Sequence, residues 1–98
     1  MKIMISQPMR GYTEDIIRKN RNKLVKELEK QGYEVVDTIF TEEAPENCDK
    51  AIYYLSKSIE MMSKVDGVVF MKGWEQARGC KIEYYVAQYY HKFIKMEE

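Results

Sequence analysis

Apolar residues in this chain of 98 residues form short runs that alternate with longer amphipathic stretches, a pattern typical of α/β proteins. A short apolar run at residues 2–5 predicts a strand, and the run at 67–71 predicts a strand that is buried on both faces. Weaker runs at 33–38 and 93–94 predict two further strands. Residues 6–11 and 40–45 show no clear periodicity and are interpreted as loops.

Three amphipathic stretches, at residues 13–31, 47–64 and 79–90, have the apolar spacing of helices. Thr13 is the expected N-cap of the first helix and Gly32 the residue that ends it, while Asn47 is the expected N-cap of the second. The apolar positions that carry the pattern are Ile17, Leu24 and Leu28 in the first helix, Ile52, Leu55, Ile59 and Met62 in the second, and Ile82, Val86, Tyr89 and Tyr90 in the third.

Strands and helices therefore alternate in the order β-α-β-α-β-α-β. Because crossovers between parallel strands are right-handed, this order favours a single domain over residues 1–98, with a four-stranded parallel sheet in the order 2-1-3-4. Helices should cover both faces of the sheet. The predicted fold class is an α/β three-layer sandwich of the flavodoxin or Rossmann type.

The charges of the chain exclude some functions. Lys and Arg together number 16, as do Asp and Glu, so no overall field attracts nucleic acid or an anionic membrane. Cys48 and Cys80 lack a CxxC spacing and His91 is the only histidine, which argues against a zinc site. The N-terminal apolar stretch is too short for a signal peptide or a membrane span. We therefore expect a cytoplasmic protein with no metal and no other cofactor.

The first loop has the sequence Ser-Gln-Pro-Met-Arg-Gly and joins the first strand to the first helix. Backbone N–H groups and the helix dipole favour anions at such a place. Arg10 adds a guanidinium suited to phosphate, and Gly11 permits close approach of the backbone. The loop is neither a Walker loop nor a GxGxxG motif. The alternative interpretation is a plain βα turn with a solvated arginine.

Glu83 is the candidate catalytic residue, because it follows the carboxyl end of the third strand and lies near the start of the third helix. Ligands of open α/β sheets bind at that edge, and the positive helix end should favour the carboxylate anion. A carboxylate in this place suits a nucleophile. Equally, acidic residues are common in first helical turns without any function.

Trp74 is the only tryptophan and lies in the loop before the third helix. It has three open interpretations: it plugs the sheet end, contacts another subunit, or stacks on a flat ligand such as a nucleobase. The many tyrosines of the second and third helices suit the core or a subunit interface.

A family resemblance follows from these motifs. The apolar strand after Asp66, followed by Gly79, Glu83 and Ala87, resembles the nucleoside 2-deoxyribosyltransferase superfamily. The first loop is similar to the Ser-x-Arg-Gly phosphate loop of its deoxynucleoside 5′-monophosphate N-glycosidase branch. Over nearly all its length the chain also resembles small phage and prophage proteins known only as deoxyribosyltransferase-like domains.

The resemblance implies that Glu83 attacks the anomeric carbon of a nucleoside 5′-monophosphate or related nucleotide, forming a covalent glycosyl–carboxylate intermediate. It also implies a homodimer that completes its sites across the subunit interface. The candidate substrate-binding residues are Ser6, Gln7, Met9, Arg10, Gly11, Trp74, Glu75 and Gly79.

The supporting acidic residues of the family are not matched. Its aspartate eight positions before that of the third strand falls on Ser58, and its aspartate or serine six positions before the nucleophile falls on Ala77. Glu75 or Gln76 would substitute only if the loop were one residue longer. The chain is therefore interpreted either as a glycosidase or transferase, or as a non-catalytic nucleotide-binding protein that sequesters a nucleotide-derived signal. An unrelated interaction role is the third possibility.

Overall fold

The computed structural model describes residues 1–36 and 43–97. Strands and helices alternate along this part of the chain as expected. The elements are β1 (Lys2–Ser6), α1 (Glu14–Lys30), β2 (Glu34–Val35), α2 (Lys50–Met62), β3 (Gly67–Phe70), α3 (Arg78–Tyr89) and β4 (Phe93–Met96), with a short 3₁₀ turn at Trp74–Gln76 before α3.

The four strands form one parallel sheet in the order β2-β1-β3-β4. β1 lies inside the sheet, where Ile3 is opposite Val35 of β2 on one side and Gly67 of β3 on the other. The chain moves to one side of β1 to form β2 and to the other side to form β3. The predicted α/β fold and its strand order are confirmed.

Two apolar clusters cover the two faces of the sheet. Because successive strand residues point to opposite faces, Ile3 and Ile5 pack with Leu24 and Leu28 of α1. Met4 instead packs on the other face, with side chains of α2, α3 and β3. The second cluster contains Met4, Met62, Val65, Val68, Phe70 and Ala87. The sheet therefore lies between α1 and the pair α2–α3, as a three-layer sandwich.

The ends of α1 follow the prediction and the start of α2 does not. Thr13 caps α1, where its hydroxyl accepts a hydrogen bond from the Ile16 N–H, and Gly32 follows the helix with φ of 93°. Asp49, rather than Asn47, caps α2, because its carboxylate accepts a hydrogen bond from the Ile52 N–H. β2 ends at Val35; the predicted strand positions 37 and 38, and residues 40–42 of the predicted loop, lie outside the described residues.

The third helix forms as expected, but the side chains that carry its apolar periodicity are mostly exposed. Ile82, Tyr89 and Tyr90 face solvent, as does Ile52 on α2. The buried face of α3 instead carries two small residues and a carboxylate, namely Cys80, Ala87 and Glu83. Within the described chain, no helix has the length and apolar character needed to cross a membrane.

Candidate functional site

A cleft of about 670 Å³ opens at the carboxyl ends of β1 and β3. β1 and β3 are neighbours, so the loops that follow them meet; a Cβ atom added at Gly73 would lie only 3.7 Å from Pro8 Cγ. One wall is the loop after β1, the second is the start of α3, and the third is a face of α2. The lining residues are Ile5, Gln7, Pro8, Met9, Arg10, Tyr12, Ala51, Tyr54, Leu55, Ser58, Gly73, Gln76, Ala77, Arg78, Gly79, Cys80 and Glu83.

Glu83 enters this cleft from the sixth position of α3. Helical side chains lean towards the helix N-terminus, so a residue one and a half turns into α3 still reaches the edge of the sheet. Its side chain lies on the same face as Cys80 and Ala87, and only 8% of the residue is exposed. Glu83 is therefore a carboxyl group at the floor of the cleft.

Burial raises the pKa of Glu83 from its ordinary value of 4.5 to about 7, and the nearby Ser6 hydroxyl offsets part of this rise. The expectation that the helix end would hold Glu83 as the anion is therefore wrong. The helix dipole acts mainly within the first turn, and Glu83 lies beyond it, where loss of hydration dominates. Near neutral pH the protonated and ionised forms are both populated.

Ser6 and Cys80 complete the buried polar cluster under the cleft. Ser6 is 1% exposed and does not line the cleft. Its hydroxyl makes no hydrogen bond of good geometry, although it lies near enough to Glu83 and Cys80 to lower both pKa values. Burial, assisted by the charge of Glu83, raises the pKa of the Cys80 thiol to about 11. The thiol is thus protonated at neutral pH and is a poor nucleophile.

The structure brings together five of the nine residues that were predicted as the site. Gln7, Met9, Arg10, Gly79 and Glu83 all line the cleft. The other four, Ser6, Gly11, Trp74 and Glu75, are not among the described lining residues.

The expectation that Trp74 would share this cleft is not met. Its ring stacks on Tyr84 with centroids 4.6 Å apart, and it packs against Phe70 at 5.4 Å. These contacts hold the indole against the second apolar cluster. Of the three interpretations of Trp74, the structure matches the one in which it plugs the end of the sheet.

The positions expected to hold supporting acids do reach the cleft. Ser58 and Ala77 both line it, as does Gln76, whereas Glu75 is exposed outside the lining. Glu60 on α2 is also exposed and lies 3.8 Å from Lys64 in an ion pair. Among the described residues of the lining, Glu83 is therefore the only carboxyl group.

The lining also contains residues that the sequence did not predict for the site, among them Arg78, Tyr12 and Tyr54. Arg78 does carry a signal. The helix dipole disfavours a cation at the first position of a helix, so an arginine there suggests a role other than stabilising the helix. The α2 wall also has a signal, since Ala51, Tyr54, Leu55 and Ser58 have the 3–4–7 spacing of one helical face. Tyr12 carries no comparable signal.

Comparisons with known proteins give one match. The model of the family DUF4406, described as a domain of unknown function, matches residues 1–96. No curated protein and no solved structure matches the chain. The matched range includes every described strand and helix and all residues of the cleft lining. The chain therefore belongs to the DUF4406 family.

Proposed function

We propose that this chain is an N-glycosidase or 2-deoxyribosyltransferase that acts on a nucleoside 5′-monophosphate or a related nucleotide. The observation that carries the proposal is Glu83, a buried carboxyl group with a pKa raised to about 7, at the floor of a cleft that also contains Arg10. Perturbed carboxyl groups in clefts are typical of catalytic sites. The volume of about 670 Å³ is within the range of small-molecule sites.

The lining offers a partner for each part of a nucleotide. Arg10 is exposed and forms no ion pair with a described residue, so its guanidinium is available for the 5′-phosphate. Tyr12 and Tyr54 line the cleft from different elements and provide aromatic surface for the base. The sugar would then lie between the phosphate and the base, over Glu83.

In the proposed reaction, the Glu83 carboxylate forms a bond to the anomeric carbon while the N-glycosidic bond breaks. The bonding electron pair leaves with the base, which takes a proton from water in the open cleft. Water, or a second base in a transferase, then attacks the glycosyl ester and regenerates the carboxylate. Splitting the displacement into two steps lowers each barrier. Only the ionised form of Glu83 can start the reaction.

One observation favours a second candidate, a nucleotide-binding protein without turnover. Glu83 is the only carboxyl group in the described lining, and Ser58 and Ala77 occupy the supporting positions. Neither side chain is acidic, so neither is suited to protonate a leaving base near neutral pH. Such a protein would sequester a nucleotide-derived signal in the same cleft.

Glu83→Gln separates the two candidates. The amide is nearly isosteric but cannot attack carbon, so we expect base release from a panel of nucleotides to stop while binding stays within about tenfold. Chromatography of the free base and calorimetry of binding measure the two effects. Glu75→Gln, an exposed carboxyl outside the cleft, is the matched control and should leave both unchanged. Base release by the Glu83→Gln variant at the wild-type rate would exclude the mechanism.

Arg10→Ala tests the phosphate contact. We expect it to weaken binding of phosphorylated ligands by about 1.5–3 kcal/mol, the usual worth of a charge-assisted hydrogen bond. Nucleosides without phosphate should bind about as well as to the wild type. An equal loss of affinity for nucleosides and nucleotides would show that Arg10 supports the conformation of the loop and does not bind the phosphate.

A further inference from the structure

A second arginine lies in the same cleft as Arg10 and has no part in the function proposed above. Arg78 is the first residue of α3 and lines the cleft with Ala77 and Gly79. The helix dipole disfavours a cation at this place. α1 follows the usual preference, with Glu14 and Asp15 in its first turn. Arg78 therefore lowers the stability of the start of α3. An anionic ligand in the cleft would compensate for this loss by binding the arginine.

The two cleft arginines differ from the other two arginines of the chain. Arg18 forms an ion pair with Glu14 at 3.2 Å, and Arg21 is buried and has an interaction partner. Arg10 and Arg78 are both exposed, and within the described residues neither forms an ion pair or a side-chain hydrogen bond. The lining of the cleft thus includes two arginines that form no ion pair with any residue in the described part of the chain.

The remaining charge in the lining does not neutralise them. Glu83 is the only carboxyl group among the described lining residues, and its pKa of about 7 leaves it partly protonated near neutral pH. Two like charges that face one cleft repel each other, and a polyanionic ligand relieves that repulsion. The lining therefore favours a ligand that carries at least two negative charges.

The arginines also enter the cleft from separate elements, one from the loop after β1 and one from the start of α3. A guanidinium binds phosphate best through two parallel hydrogen bonds. Two arginines that approach from separate elements are suited to two phosphate groups of one ligand, because each arginine can then bind its own phosphate through two hydrogen bonds. A diphosphate provides these two groups.

We propose that Arg78 forms a second anion subsite beside Arg10, and that the ligand of this cleft carries a diphosphate rather than a single phosphate. The nucleoside part of this ligand rests on the proposed function. The diphosphate part rests only on the two arginines, so it can be tested with inorganic anions.

Calorimetry with inorganic phosphate and pyrophosphate, followed by matched nucleoside 5′-mono- and diphosphates, tests the subsite. We expect the wild type to bind the diphosphate member of each pair at least about tenfold more tightly, the usual effect of one added charge-assisted contact. Arg78→Gln should remove this preference and change phosphate binding by less than about threefold. Lys81→Gln, an exposed cation on α3 outside the lining, should keep the preference.

Two results would overturn the inference. One is a wild type that binds pyrophosphate and phosphate with the same affinity, and the other is an Arg78→Gln variant whose affinities for phosphate and pyrophosphate fall by the same factor. The second result would place both arginines on one phosphate. Circular dichroism of the variant checks its fold, and an absent preference in the wild type overturns the inference even if the variant is unfolded. Glu83→Gln should keep the pyrophosphate preference, so failure of the glycosidase proposal and failure of this subsite give different results.

Discussion

At the scale of single residues, Glu83 is the position where stability and chemistry conflict. Its carboxyl group is buried among Ser6, Cys80 and the floor of the cleft, and ionisation there requires a charge to lose most of its hydration. A residue chosen only for stability at this position would be neutral. The proposed reaction needs the anion, so the form of Glu83 that can react is also the form that destabilises the folded chain.

Glu83→Gln should therefore stabilise the protein at high pH only. The pKa of Glu83 is higher in the folded chain, about 7, than its ordinary value of 4.5. The contribution of this group to stability is thus fully present below pH 4.5 and is lost as the pH rises through 7. We expect the free energy of unfolding of the variant, relative to the wild type, to increase by up to about 3 kcal/mol over this range. Urea denaturation at several pH values measures the difference.

The matched control is Glu75→Gln, since Glu75 is exposed in the turn before α3. Its stability relative to the wild type should show no comparable trend with pH. A Glu83→Gln difference that is constant from about pH 4.5 to about pH 8 would mean that the buried carboxyl group is well solvated in the folded chain.

At the scale of elements, local sequence signals determined what could be predicted. Thr13 and Gly32 mark the ends of α1 through their own backbone and side-chain chemistry, and both were identified correctly. The buried face of α3 was not predicted, because it carries Cys80, Glu83 and Ala87 while the large apolar residues face outward. Periodicity gives the type of an element, but only the neighbouring elements decide which face is covered.

The contact between β3 and β4 provides a test of the sheet. A Cβ atom at Gly67 would lie 2.7 Å from the Phe93 carbonyl oxygen and 2.8 Å from Phe93 Cβ. Because one of these is a backbone atom, β4 would have to move, and we expect Gly67→Ala to destabilise the fold by about 1–3 kcal/mol in urea denaturation.

Gly79→Ala is the matched control for this substitution. A Cβ atom there meets no other atom within 4 Å, and alanine is favoured over glycine inside a helix, so we expect stabilisation of up to about 1 kcal/mol. If both alanine variants had the same stability, β4 would not pack on β3 as described.

At the scale of the whole molecule, the order of the strands determines where the cleft lies, and this location can be predicted from the sequence. β1 and β3 are neighbours, so the loop that carries Arg10 and the helix that carries Glu83 meet at one edge of the sheet. The packing of Trp74 against the core and the position of Arg78 in the cleft lining do not follow from the sequence, because both depend on the 3₁₀ turn at Trp74–Gln76.

The outward face of α3 leads us to propose a homodimer. Ile82, Tyr85 and Tyr89 lie three and four positions apart and are 46%, 55% and 74% exposed, and the rings of Tyr85 and Tyr89 stack at 6.4 Å. An apolar stripe of this kind suits a second copy of the chain across a two-fold axis. The formal net charge of zero gives no long-range repulsion between copies.

Tyr89→Arg should dissociate this dimer with little effect on the fold, since the side chain is exposed in the single chain. Light scattering at about 100 μM should show a dimer for the wild type and a monomer for the variant. Lys23→Glu, on the exposed surface of α1, should remain dimeric. A wild-type monomer at this concentration would contradict the proposal.

The rate of base release by the wild type as a function of pH, from about pH 5 to about pH 9, tests the central claim most directly. If the ionised Glu83 carboxyl is the nucleophile, the rate should rise with pH through about 7, where this group loses its proton, and Glu83→Gln should release no base at any pH. Tight nucleotide binding without base release across the whole range would contradict the catalytic claim and leave sequestration as the function of the cleft.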